Sequence, residues 1–425
     1  MRGWLAEQAA ARLSPGVFGR VHATYATALG LSRRMLARRV ALDRLLWGGE
    51  HAVPAARYAR ITRNPLRPST RLRDTPHVRF LQAYQREGER VLQPGRFEQT
   101  AYFANAAEAL ELAGEYFGCR RREELPLQAR RFVAQFEGAG RAAAGDVSRD
   151  VSSPWAPVIL RRIADSDGCY EIVDGHHRLA VAYVRGQRSC RAYVLRDPPV
   201  HTPLQEKLLD VFWTGGQRLI YQPVEAPELG RKWRLVRRCS DRLGLMQAWL
   251  AERAMLPARG LRYLDVGCSY GWFVREMGRL GFAAQGVDRD PAALELGRIV
   301  YGLSSEQLIE RNIVDFLQTT RERFGVTSCF SVIHHFALGR GPIPAEALLG
   351  HLDRITVHAL FFDTGQSHER WFRQRLPQWD RPFIQRWVRE HSSFTRVTPL
   401  GEDSDWQLPG QRGNYGRTLF VCTRD

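Results

Sequence analysis

The chain has 425 residues, ordinary apolar content and a formal charge of +17. That length predicts two or three domains with cores of normal size. No run approaches the ~20 apolar residues needed to span a bilayer, the N-terminus lacks the apolar stretch of a signal peptide, and seven dispersed cysteines without a CxxC pair argue against a disulfide framework or a zinc site, so a cytoplasmic protein without a structural metal is expected.

The charge is uneven. From Arg259 onward there are 21 basic and 19 acidic residues, whereas residues 1–66 hold 11 basic and 3 acidic ones. Such a basic front predicts an anionic partner: a phosphorylated ligand, nucleic acid or a membrane surface that the protein would touch peripherally. Residues 17–47 place Val17, Val21, Leu29, Met35, Leu36, Val40 and Leu46 at roughly helical spacing, with Arg33, Arg34, Arg38 and Arg39 as a basic face. One or two amphipathic helices are predicted there. Three prolines in 62–76 predict a linker, and 76–140 reads as helical, with Gly118 as a stop after TAYFANAAEALELAGEYFG.

Residues 157–195 change character. PVILRRI and CYEIV read as strands, LAVAYVRG as a helix and SCRAYVL as a strand. Between the second strand and the helix lies Asp174-Gly175-His176-His177-Arg178. Gly175 permits a turn with positive φ, and the free N–H groups at a helix start favour an anion. His176, His177 and Arg178 would surround that point. Asp174 can cap the helix, orient a histidine or hold a metal bound to phosphate. The alternative is a capped turn with solvated histidines.

This segment resembles the ParB/sulfiredoxin-like superfamily, closest to its free-serine-kinase branch. The resemblance implies an α+β domain over 67–200 that holds nucleotide phosphates at the turn, with ATP, ADP or CTP and Mg²⁺ as candidates. It also places His77 or Arg79 near the nucleotide and calls for an acidic general base, for which Glu98 and Glu137 are candidates.

Residues 201–258 read as a helical connector or cap. Then LRYLDVGCSYGWF gives a strand, a glycine loop and a helix. Gly267 and Gly271 let backbone approach a ligand, and the next strand ends at Asp288, placed to accept from a ribose diol. Asp265, two residues before the first glycine, completes a pattern that resembles the first motif of class I S-adenosylmethionine (SAM) methyltransferases. Ser269 stands where a middle glycine is usual. The resemblance implies a Rossmann-like sheet over 259–425 with an antiparallel last strand, so the whole chain is expected to be α/β with an α+β domain in front and a basic segment, 1–66, before that. It implies SAM at Asp265, Gly267, Ser269, Gly271 and Asp288, and Asp315 near the adenine, at the end of a third strand in RNIVDF. CFSVIHHFALG is expected as strand four, HALFFDTG as strand five, and FTRVTPLG with RTLFVCTR as the closing pair.

His334 and His335, expected at the end of strand four, are candidate bases for a hydroxyl acceptor. Arg237, Arg242 and Arg417 are candidates to hold an ionised acceptor such as phosphate. The expected acceptor is a small molecule or a surface-glycan end. Nucleic acid ranks below it, because the methyltransferase half is nearly neutral. A nucleotide-gated binding protein with an inactive methyltransferase fold is the rival of another class.

Overall fold

The structure, a computed structural model, describes residues 32–50, 53–138, 157–408 and 416–424. The described residues form two compact units. One runs to Leu204 and adds Ala226–Gly230; the other comprises Gln205–Glu225 and the chain from Arg231 onward. The expected connector, 201–258, is therefore shared between them.

The first unit is built on five strands: β1 (Arg38–Ala41), β2 (Leu45–Leu46), β3 (Val158–Arg162), β4 (Tyr170–Asp174) and β5 (Ser189–Val194). Their order is β1-β5-β3-β4-β2. β3 runs antiparallel to β4 and parallel to β5, and the helix His176–Val184 makes the crossover. The order strand, strand, turn, helix, strand expected over 157–195 is present. The helices Pro76–Glu87, Ala101–Ala113 and Leu125–Gly138 supply Phe80, Tyr102 and Phe132 to a core shared with Leu160, Ile172 and Leu179. Thr75 and Thr100 cap the first two of these by accepting from Val78 and Phe103 N–H.

Three expectations fail here. Val40 and Leu46 lie on strands, not on a helix: β1 pairs with β5 and β2 with β4, and burial on a sheet overrides their helical spacing. Of the predicted helical stretch only residues 32–35 are α-helical, and 17–31 lie outside the described residues. The boundary at residue 66 thus cuts through the first unit, and the proline-rich stretch is part of its fold, with Leu72 buried and Ser69 donating to the buried Glu228. The helix from Ala101 stops at Gly114 (φ 78°), four residues before Gly118.

In the second unit a two-stranded pair, β6 (Leu219–Ile220) with β7 (Arg234–Leu235), precedes the main sheet. That sheet comprises β8 (Arg262–Val266), β9 (Ala283–Asp288), β10 (Leu308–Glu310), β11 (Phe324–Phe330), β12 (Thr356–Asp363), β13 (Arg396–Glu402) and β14 (Thr418–Thr423), in the order β10-β9-β8-β11-β12-β14-β13. The first five strands are mutually parallel; β14 is antiparallel to both its neighbours. The strands are covered on both faces, as parallel sheets require. On β12, Leu360 and Phe362 face the helices Ala345–Ile355 and Arg381–His391, while Ala359 and Phe361 face the helices Ser240–Glu252 and Trp272–Arg279. The order reverses between β8 and β11, so a crevice opens at the carboxyl ends of these strands.

Candidate active site

β8 delivers Asp265 and then Gly267 to that crevice. Gly267 (φ 79°) cannot be replaced cheaply: a Cβ there would lie 2.6 Å from Val332 Cγ2. Ser269, at the position of a missing glycine, itself adopts the left-handed region at φ 51°. This costs a non-glycine residue roughly 1 kcal/mol. Its N–H donates to Asp288 Oδ2 at 2.8 Å, which offsets the strain. Gly271 (φ 80°) then opens the helix Trp272–Arg279. That helix start is clamped by a residue the sequence did not single out. Gln222 accepts from Trp272 N–H at 3.1 Å and donates to the Cys268 carbonyl at 3.1 Å.

The crevice has an outer chamber of about 480 Å³ and a smaller inner recess. The two share Tyr221, Gly267, Phe330 and Ser331. The chamber is lined by Ser269, Asp288, Asn312, Ile313, Val332 and His335, among others, and Phe212 and Trp213 stand at its rim, both well exposed. Its volume suits a nucleoside-sized ligand. Asp288 Oδ1 accepts from Asp290 N–H at 3.0 Å; each carboxylate oxygen accepts twice, so both keep a lone pair for a ligand. Burial raises the Asp288 pKa against the pull of these N–H groups.

The inner recess holds Asp265, Arg237 and Arg242. Asp265 is buried and accepts from Ser328 Oγ at 2.6 Å; burial pushes its carboxyl up to about 7. Arg242 is 2% exposed and wholly engaged. Its Nε donates to Asp363 at 2.7 Å, and its Nη2 to Asp403 at 2.6 Å and Asp405 at 2.9 Å. Burial opposes ionisation of Asp363, but Arg242, then Arg417 and Arg237, hold it below the usual carboxylate range. Arg237 Nη1 donates to Asp405, while its buried Nε has no hydrogen-bond partner among the described residues. Arg417 makes a bidentate pair with the buried Glu369, both bonds 2.9 Å, and donates to Ser331 Oγ. The three arginines expected to bind an anionic acceptor are thus neutralised by carboxylates of the protein.

Two further placements differ from expectation. Asp315 is not at a strand end: β10 stops at Glu310, Asn312 caps the next helix by accepting from Val314 N–H, and Asp315 lies exposed on that helix. Asn312 and Ile313 line the chamber in its stead. His334 and His335 follow β11 on a short helix, Ile333–Ala337, rather than ending the strand. His334 is buried and its Nδ1 accepts from Gly365 N–H at 3.3 Å. His335 is exposed on the chamber side, and burial of its ring, then Arg340, Arg417 and Arg289, lower its pKa.

In the first unit, Gly175 (φ 104°) opens the helix His176–Val184 as expected. The histidines do not surround the turn. Both are buried: His176 Nε2 bonds the Trp47 carbonyl at 2.9 Å and His177 Nε2 bonds Tyr102 Oη at 2.7 Å. Arg178, also buried, donates to the exposed carboxylate of Asp174. The sequence also missed Glu50. This 2%-exposed acid accepts from Trp47 Nε1 at 2.7 Å and lies 3.6 Å from His77, which stacks on His176. Its Oε1 and His77 Nδ1 have no hydrogen-bond partner among the described residues. Glu98 and Glu137, by contrast, are engaged elsewhere, Glu98 with Gly95 N–H and Glu137 with Tyr84.

The strand order, glycine loop and strand-end carboxylates define a methyltransferase-like Rossmann fold in the second unit. Residues 237–401 match the family model described as Methyltransferase domain. The ubiquinone biosynthesis O-methyltransferase of Hahella chejuensis is 33% identical over 103 residues, 24% of this chain and 40% of that protein. Its counterpart in Cereibacter sphaeroides is 35% identical over 85 residues, 20% of this chain and 34% of its own. The chain thus spans well under half the length of these curated relatives. Among solved structures, the bifunctional kinase–methyltransferase WbdD is 21% identical with a TM-score of 0.41, covering 52% of this chain and 46% of WbdD. Magnesium protoporphyrin IX methyltransferase from Synechocystis PCC 6803, with bound SAM, is 15% identical with a TM-score of 0.32, covering 44% of this chain and 81% of that one.

Proposed function

We propose that the second unit is a SAM-dependent methyltransferase acting on an oxygen of a small molecule or glycan end. The observation that carries this is the charge arrangement along the crevice. Asp265 and Arg237, whose buried Nε has no hydrogen-bond partner among the described residues, line the inner recess, and Asp288 lines the outer chamber. These residues fit the cofactor: Asp265 would hold an ammonium, Arg237 a carboxylate and Asp288 a ribose diol, with Gly267 lining both recess and chamber. SAM, when bound, would supply a methyl group to an oxygen lone pair, the O–C bond forming in line as the C–S bond breaks and S-adenosylhomocysteine leaves. Ile313 and Val332 line the chamber and would offer apolar surface to a flat base. His335, its pKa lowered by desolvation of the ring and then by its cationic neighbours, accepts the proton of a hydroxyl acceptor. His334, whose Nδ1 already accepts from Gly365, carries its proton on Nε2 and positions its neighbour. Calorimetric titration with SAM and S-adenosylhomocysteine tests the reading. Absence of binding at millimolar concentration would refute it.

For the first unit the reading supported best is a nucleotide-phosphate site of ParB/sulfiredoxin type at the Gly175 turn. The Asp174–Arg178 pair beside a left-handed Gly175 and the unpartnered Glu50 and His77 atoms support it. Arg178→Ala should abolish binding of ATP, ADP or CTP without affecting SAM. Asp174→Asn should matter more with Mg²⁺ than without. If the wild type binds none of the three, the turn is structural.

A further inference from the structure

The arginines first expected to hold the acceptor are neutralised, yet another group beside His335 is not. After β12 the chain runs through Gln366, Glu369 and the short helix Arg370–Arg373. Glu369 is fully buried and acts as a hub. It takes the bidentate pair from Arg417, accepts from Gln366 N–H at 3.0 Å and accepts from Trp371 Nε1 at 3.0 Å. The indole is thereby fixed by its polar edge while 42% of the residue stays exposed. Its ring lies 5.7 Å from that of His334, which is 4.3 Å from that of His335. A large aromatic held rigid and exposed beside the His334–His335 pair is a platform, because little conformational entropy remains to be lost when a ring stacks on it.

The exposed charged residues of the segment 364–378 are all basic. Arg370 and Arg373 share a face of the short helix, both are exposed, and neither makes an ion pair among the described residues. Arg340, on the chamber wall, is also exposed and lies close enough to His335 to depress its pKa. The only acid in 364–378 is Glu369, which is buried and already paired. Exposed guanidinium groups without partners favour an anion.

We propose that Trp371, Arg370, Arg373 and Arg340 form the acceptor subsite, and that the acceptor is a ring compound bearing an oxyanion, as a phosphate monoester or a carboxylate. The proposal rests on the methyltransferase reading for what happens to the acceptor, but its test does not depend on turnover. Phenyl phosphate, benzoate and benzyl alcohol share a ring and differ in charge. Each is titrated onto the full chain by calorimetry, with SAM affinity measured in parallel. Both anions should bind more tightly than benzyl alcohol by at least about tenfold, and their ratio tells phosphate from carboxylate. R370E/R373E should remove that preference and leave benzyl alcohol unchanged. Trp371→Ala should weaken all three probes and Trp371→Phe, which keeps a ring but not the Nε1 bond to Glu369, should recover only part of the loss, with SAM affinity constant. Equal affinity for benzyl alcohol and the anions, anion binding untouched by R370E/R373E, or no binding of any probe at millimolar concentration would each overturn the subsite. If the probes behave as expected and SAM does not bind, the cofactor assignment fails and the subsite stands.

Discussion

Asp265 and Asp288 are both carboxylates at strand ends of one crevice, but they differ in how they would answer a ligand. Asp288 is held by two backbone N–H groups and would add hydroxyl donors to lone pairs still available. Asp288→Ala should weaken SAM binding by roughly 1.5–3 kcal/mol, the range for hydrogen bonds to charged groups, as read by calorimetry. Asp265 is different because burial raises its pKa to about 7. An ammonium ligand selects the ionised form, so SAM affinity should climb as pH passes upward through about 7 and then level off. Asp265→Asn should lower affinity and flatten the profile. The unliganded protein moves the other way. A carboxyl whose folded-state pKa is raised stabilises the fold at low pH and loses that contribution as pH rises through about 7. The gain in melting temperature on adding SAM should therefore be larger at pH 8 than at pH 6.

At the scale of elements, the buried ion network around Arg242 joins the helix Ser240–Glu252 to the end of β12 and to the segment after β13. Arg242→Met would leave Asp363, Asp403 and Asp405 buried without their main counter-charge. The expected loss is about 3–5 kcal/mol of stability, measured by denaturant unfolding. This network was not legible in the sequence, where Arg242 reads as a candidate to hold an anionic acceptor and its three partners are over a hundred residues away. The closing antiparallel pair was legible from the family resemblance, and the glycine loop and β9 ending at Asp288 from local spacing. The turn at Gly175 was legible for the same reason. The inward rotation of His176 and His177 was not, since it depends on Trp47 and Tyr102 from distant segments. RNIVDF misled because its apolar spacing suits a strand or a helix equally, and only the Asn312 cap decides between them.

For the whole molecule, the basic front is largely part of a folded surface. Arg38 and Arg39 are exposed on β1, and Met35 and Leu36 beside them are exposed apolar residues. If this surface meets anionic lipid, R38E/R39E should reduce retention on phosphatidylserine vesicles at physiological salt by about 1 kcal/mol per residue. Unchanged retention would exclude it. A deletion of residues 1–66 cannot serve as that test, because it removes β1 and β2 from the sheet. The same pairing has a consequence for how the chain is made. Arg38 registers with Ala192 and Leu45 with Tyr170, so the outer strands must wait until more than a hundred further residues have left the ribosome. Contacts so remote in sequence are entropically expensive to close and slow to form. During that interval the β2 residues Leu45 and Leu46, both fully buried in the finished fold, are exposed, which makes the nascent first unit a client for chaperones before the second unit exists.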